Sequence, residues 1–454
     1  MSYQYDVLGR RTQLVANGQQ PVTYGYDVAS RLTQVAQGSL AVGLGYDNAN
    51  RRTSLTYPNG TSTSYTYDVA SRLTNINHTG PSGLIEALTY VYDPAGNRTS
   101  LTRNNAAASL LPAAVASATY DAANEQTAFA GATLTYDANG NLTNDGTNTY
   151  VWDARNRLVS ITGGTTASFH YDVLGRRVHK TRSTPSPALS TGFLYDGNDI
   201  AAEIGGSAVG ASYLRSLNID EPFVRQAGTG NEFYHTDALG SSLVLSNSQG
   251  ATGTMYTYEP FGKTTITGTS ANAFQYTGRE NDGTGLVYYR TRYYSPYMHR
   301  FTREDPIGFS AGPNFYTYVS NRPTQFIDPW GLDPRSKIGF TWGYTWGTNG
   351  QQCTFSLACK PTTTFPPAFQ LTPIQISYNQ PPPHLNPLNV NVNIYNHPIK
   401  INGSQPIAGF GVGASVGTYI YENQNPGPGG QTFQQQGFTL GVDIGIAPIV
   451  SISR

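Results

Sequence analysis

YDVASRLTQVA at residues 26–36 and YDVASRLTNIN at 67–77 are near copies of one another. The same frame returns as YDVLGRRTQLV (5–15), YDNANRRTSLT (46–56), YDPAGNRTSLT (92–102) and WDARNRLVSIT (152–162). With the aromatic-Asp pair as a register mark, ten units run from Tyr5-Asp6 to Tyr195-Asp196, spaced by 16 to 28 residues and mostly near 20. In the regular units a strand ends in Tyr-Asp, a turn rich in Gly, Asn and Ala follows, and polar-apolar alternation resumes at period two. That pattern predicts one β-hairpin per unit. A lone hairpin is not stable in water, so successive units must pair edge to edge into a long sheet. Each residue type then has a structural role. Tyr covers the neighbouring hairpin, Asp accepts hydrogen bonds from turn amides, Gly or Asn takes the φ > 0 position, and Arg pairs with Asp on an adjacent unit.

Composition agrees with this reading. The 454 residues include 49 Gly, 28 Pro and 32 Tyr, with only 12% charged, which favours turns and strands over helices. The formal net charge of zero gives no global attraction to nucleic acid or to anionic lipid. The N-terminal MSYQYDVLGRRTQL lacks the apolar core of a signal peptide, and nowhere do 18 apolar residues run together. The chain reads as lacking a standard secretion signal. If it leaves the cell, something else carries it or an upstream portion is missing, so the expectation is a protein cytoplasmic before any export and secreted or held at the cell surface by another route.

A second signal lies between residues 278 and 332. Asp-Pro-x-Gly occurs twice, as DPIGF from Asp305 and DPWGL from Asp328, and the composition changes after Leu332. Asp-Pro-x-Gly is an ordinary turn, with Asp capping and Gly supplying the unusual backbone angle. Two carboxylates brought together also make an acid and a base, because neighbouring like charges cannot both ionise. Arg300 and Arg303 are close enough in sequence to hold a carboxylate or a carbonyl oxygen, and the sequence does not choose between them. His235 and Asp237 in EFYHTDALGS are expected to be hairpin residues. GFGVGASVG (409–417) lacks the context of a dinucleotide site.

The repeats, with YHTDALGSSLVLSNSQG (234–250), YEPFGK (258–263) and NFYTYVSNRPTQFIDPWGL (314–332), resemble the YD-repeat proteins of the Rhs family, relatives of Tc toxin C components and of teneurins. The resemblance covers about residues 1–332. It implies an all-β fold, a spiralling sheet of YD hairpins forming a shell around a C-terminal polypeptide. The 332 residues here are fewer than such shells use, so a partial cocoon is expected. It also implies an aspartyl autoprotease formed by Asp305 and Asp328, cutting between Leu332 and Asp333. The expected divisions are a repeat shell over 1–232, a repeat-associated core over 233–332, and a variable glycine-rich β domain over 333–454.

In family members the variable position holds a toxin, so the resemblance implies an immunity protein for the tail and a secretion-system carrier as partners. The tail carries eight charged residues with a net charge of +2, thin for a nucleic-acid enzyme. His384, His397, Glu422 and Asp443 are scattered, and no HxE with CxxC suggests a zinc deaminase. Alternation in GFTLGVDIGIAPIVSIS suits a small β-sheet or partial barrel, either membrane-active or inert. Cys353 and Cys359, in CTFSLAC, lack the second ligand pair of a zinc ribbon and form a local disulfide or stay as thiols. No metal or cofactor is expected. The alternative function is a non-cleaving adhesive surface protein that binds carbohydrate or protein partners.

Overall fold

The computed structural model describes residues 1–332 except 17, 106–110, 113, 116 and 207, and beyond 332 the backbone of 335–336, 374–377, 388–395, 411–418, 436–443 and 449–453. Cys353, Cys359, Asp333, His384, His397 and Glu422 lie outside the described residues. The chain divides into two compact units, Met1–Thr345 and Trp346–Arg454.

The first unit is built from antiparallel meanders in which each strand pairs with the next in sequence. A 10-stranded sheet runs from Ser2–Tyr5 to Arg98–Arg103, and a 14-stranded sheet from Thr135–Tyr136 to Thr264–Thr267. The larger sheet passes through residues 232 and 233 by way of the hairpin Pro222–Ala227 and Gly230–Thr236. The two sheets share a core, in which Leu32, Val35, Val42, Leu55, Ile76 and Leu88 of the first meet Leu214, Phe223, Val224, Phe233 and Val244 of the second. Burying each such side chain contributes about 1.5–3 kcal/mol, so the shell is held mainly by this inter-sheet layer.

The repeat chemistry is visible at Asp27. Its Oδ1 accepts from the N–H of Ala29 and of Arg31, both at 2.9 Å, and its Oδ2 from Arg31 Nε at 2.6 Å. Arg31 Nη1 then donates to the carbonyl of Asp47 in the next unit at 2.9 Å, under the ring of Tyr46. The Tyr46 hydroxyl donates back to the Leu32 carbonyl at 2.9 Å. The same pattern recurs at Asp47, Asp68, Asp153 and Asp172. The expected ion pair with another unit holds at Arg11 and Asp196, 2.8 Å apart. At Asp6, Asp27, Asp47, Asp68, Asp153 and Asp172 it is corrected: the Arg four residues on pairs with the Asp of its own turn, because four residues around a tight turn bring the guanidinium back to the carboxylate. These partly exposed pairs contribute at most about 1 kcal/mol each, so they set register more than stability. The left-handed turn position is taken by Gly9, Gly96 and Gly175, but also by Ser30, Asn50, Ser71 and Asn156.

His235 belongs to the shared core. Its Nε2 lies 2.9 Å from Ser246 Oγ, and its ring packs on His78 at 5.1 Å and on Tyr57 at 5.7 Å. Asp237 caps its own turn by accepting from the N–H groups of Leu239 and Ser241. Burial pushes His78 down from 6.5 to about 4, and His235 well below its usual range. A histidine kept neutral in the fold but free to protonate when unfolded supports the shell fully above pH 6.5. That support is lost as pH falls toward 4, by about 3 kcal/mol for His78 alone. Urea unfolding at pH 7 and pH 4.5 should show the loss, and His78→Asn should shrink it.

In the second unit five strands, Ile374–Ser377, Leu388–Tyr395, Gly411–Thr418, Gln436–Asp443 and Ile449–Ser453, form an antiparallel meander. Its register pairs Val390 with Val416, Ala414 with Leu440 and Phe438 with Ile452, alternating with Asn393–Gly413, Gly413–Gly441 and Gly417–Gly437. The period-two alternation read in the sequence is thus the pairing pattern of this sheet.

Candidate active site

A small four-stranded sheet, Glu280–Asn281, Val287–Tyr289, Arg292–Ser295 and Arg300–Phe301, carries the site. Its strands are almost entirely buried, and Tyr289, Tyr294, Phe301 and Tyr318 pack into one aromatic cluster. Asp305 follows the last of these strands, and Asp328 follows the short strand Phe326–Ile327.

Both Asp-Pro-x-Gly segments form the turns their composition suggests. The Asp305 carbonyl accepts from the Gly308 N–H at 3.0 Å, and its Oδ1 from the Ile307 N–H at 3.1 Å. At the second copy the Asp328 carbonyl accepts from the Gly331 N–H at 3.4 Å, and its Oδ1 from the Leu332 N–H at 2.9 Å. The turns aim both carboxylates at one side chain. Arg292 Nη2 lies 2.5 Å from Asp305 Oδ2 and 3.6 Å from Asp328 Oδ2, so these two oxygens are no further apart than the sum of those distances. All three side chains are 2% exposed, and each charge therefore depends on the others for compensation.

Arg292 is held from every side. Its Nε donates to the Gly331 carbonyl at 2.5 Å, its Nη1 to the Phe315 carbonyl at 2.9 Å, and its Cζ sits 3.6 Å from the centre of the Phe301 ring. Burial pushes the guanidinium down from its usual range to about 10, with Asp305 and then Asp328 opposing the shift. It still carries its proton at neutral pH. Chemically, the cluster offers two carboxylates around one fixed positive charge, with little water, beside the residue whose carbonyl closes the DPWGL segment.

The two arginines singled out from sequence have different places. Arg303 is at the site: its Nη2 donates to the Thr291 carbonyl at 2.8 Å, and burial lowers its pKa while Asp305 opposes. Arg300 turns toward another hairpin, donating to the Asn124 carbonyl at 2.7 Å and lying between the rings of Tyr120 and Tyr316. Arg292 escaped the sequence reading. Its signal was VYYRTRYY (287–294), a buried-strand composition interrupted by two cations, each of which needs a buried partner. Leu332 is half-buried, and the strand Arg335–Ser336 pairs antiparallel with Phe326–Ile327. Among the described residues no group of three or more His, Cys, Asp or Glu side chains could hold a metal ion.

Stacked Tyr-Asp hairpins that end in a buried core define a YD-repeat β shell. The family model for the teneurin YD-shell matches residues 1–80 and 58–323, and the chain belongs to that family. Among curated proteins it is similar to double-stranded DNA deaminase toxin A of Burkholderia cenocepacia, at 28% identity over 42% of this chain and 16% of that protein. It is also similar to the tRNA nuclease WapA of Bacillus subtilis, at 28% identity over 53% of this chain and 11% of that one. The chain thus spans only a small part of these relatives. Among solved structures, the TcdB2-TccC3 crystal structure shares the fold with a TM-score of 0.55 at 21% identity, covering 73% of this chain and 22% of that one.

Proposed function

We propose that this chain is a self-processing toxin-delivery shell whose aspartate pair hydrolyses the Leu332–Asp333 bond once, in cis, and frees the segment from 333 onward as an effector. The reading rests on one observation: Asp305 and Asp328, 23 residues apart in sequence, converge on Arg292, and one of them also holds the N–H of Leu332. The Leu332 carbonyl carbon is two covalent bonds from that nitrogen, about 2.5 Å away, so the Asp328 carboxylate is a near neighbour of the bond to be cut.

Hydrolysis adds one water. Its oxygen bonds to the Leu332 carbonyl carbon, the bond to the Asp333 nitrogen breaks, and that nitrogen leaves with a proton. One carboxylate takes the proton released by the water while the other, in its acid form, supplies a proton to the carbonyl oxygen or the departing nitrogen. The two act as a coupled unit around the Arg292 charge, so acid and base belong to the pair. Turnover is limited to one because the substrate is the chain itself.

The toxin part of the reading is supported by a relative that is a toxin by name, the double-stranded DNA deaminase toxin A, and the tRNA nuclease WapA is a second relative whose name gives an enzyme acting on nucleic acid. For the segment from 333 onward the low charge and the glycine-rich meander favour a membrane-active β structure over a nucleic-acid enzyme. Export by a dedicated carrier and neutralisation by an immunity protein complete the proposal. Expression of the full chain should yield pieces of about 36 and 13 kDa, in proportion to length. A single intact mass after folding would refute self-hydrolysis.

A further inference from the structure

Three consecutive residues bind three consecutive carbonyls ahead of Leu332. Arg290 Nη1 donates to the Pro329 carbonyl. Thr291 donates to the Trp330 carbonyl through its N–H at 3.2 Å, and its Oγ1 lies 2.7 Å from that oxygen and 2.9 Å from the Gly331 carbonyl. Arg292 Nε takes the Gly331 carbonyl. The carbonyls of the turn at 329–331 therefore rest on 290–292, mostly through side-chain donors.

The clamp is itself anchored. Arg290 has a left-handed backbone, φ 58°, and its guanidinium bonds Asp220 Oδ1 at 2.7 Å, Asp199 Oδ1 at 2.8 Å and the Asn198 carbonyl at 3.2 Å, with the Trp330 ring 5.1 Å from its Cζ. Two loops of the large sheet thus hold the residue that holds Pro329. Gly331 locks the register. Its φ is 69°, and a Cβ there would meet the Tyr289 carbonyl oxygen at 2.6 Å and Thr291 Oγ1 at 3.0 Å. A slip by one residue would bring Trp330 or Leu332 to that place, and neither fits.

We infer that Arg290 and Thr291 are positioning residues that fix which bond the aspartates cut, by holding the carbonyls of 329–331 so that Leu332, and no neighbour, is presented to them. The inference rests on the self-hydrolysis reading. Thr291 is the cleaner probe, because Thr291→Val keeps the shape and the backbone N–H and removes only the hydroxyl donor. The full-length chain, its Thr291→Val variant and its Thr291→Ser variant are followed by intact mass over time, with thermal unfolding recorded for each.

With the melting temperature unchanged, Thr291→Val should cut at least about tenfold more slowly and give C-terminal fragments that differ by one or two residues, since small misplacement of a reacting group is costly. Thr291→Ser should restore both the rate and the single fragment. Should Thr291→Val match the wild type in rate and in fragment mass, or Thr291→Ser behave like Val, the inference is overturned while self-hydrolysis stands. A wild-type chain that stays whole overturns self-hydrolysis and this inference with it.

Discussion

Asp328→Asn is expected to leave the chain whole, with self-hydrolysis slowed by about 10²- to 10⁴-fold, and Asp305→Asn to do the same. Asparagine has nearly the shape of aspartate, can still accept the Leu332 N–H through its oxygen and still precedes the turn proline, so the DPWGL segment should keep its conformation. What it loses is the proton that the pair exchanges. The Asp305→Asn/Asp328→Asn double variant should be no slower than either single one, because residues that act as a unit do not add. Time-resolved intact mass reads all three. Cleavage at the wild-type rate in either single variant would remove that aspartate from the chemistry.

Arg177→Met should destabilise the shell by about 3–5 kcal/mol, because it breaks a buried ion-pair network. Arg177 is fully buried on strand Arg177–Thr184, where it binds Asp282 and, at 2.6 Å, Glu280, donates to the Tyr293 hydroxyl at 3.1 Å, and stacks on the Tyr288 ring at 4.2 Å. Methionine fills part of the space but leaves Glu280 and Asp282 with less compensation inside the protein. Lys180, at 2.8 Å from Asp282, and Arg279, at 3.3 Å from Glu280, soften the loss without replacing the fork. Arg279 continues the chain of charges to Asp220, and Asp220 to Arg290 of the clamp. The variant should therefore unfold at lower urea with an unchanged slope, and its cutting should slow below the melting temperature. A midpoint equal to wild type would show that the network is not a source of stability.

The repeats were the most legible part of the chain, because a Tyr-Asp pair followed by a turn and period-two alternation leaves few foldings for each unit. The partner of each Arg was not legible. An arginine four residues after an aspartate can pair locally or with the next hairpin, and only the turn geometry decides for the local pair. The aspartates stood out as a duplicated turn, yet sequence carries no distance between residues 305 and 328. Arg292 could have been suspected only from a cation in a strand otherwise fit for burial. Arg300 and Arg303, near Asp305 in sequence, looked equivalent; one sits by the aspartates and the other between Tyr120 and Tyr316, because they occupy different places relative to the end of the strand Arg300–Phe301. The sheet that runs from Thr135 to Thr267 continues through residues 232 and 233, which lie within the one strand Gly230–Thr236.

The most direct measurement is the N-terminal sequence of the smaller fragment released by the purified full-length chain. Hydrolysis at Leu332 by the aspartate pair should give Asp-Pro-Arg-Ser-Lys, the residues that begin at Asp333, and no such fragment from the Asp305→Asn/Asp328→Asn double variant. A different first residue would contradict the assigned bond, and the same fragment from the double variant would contradict the assigned aspartates.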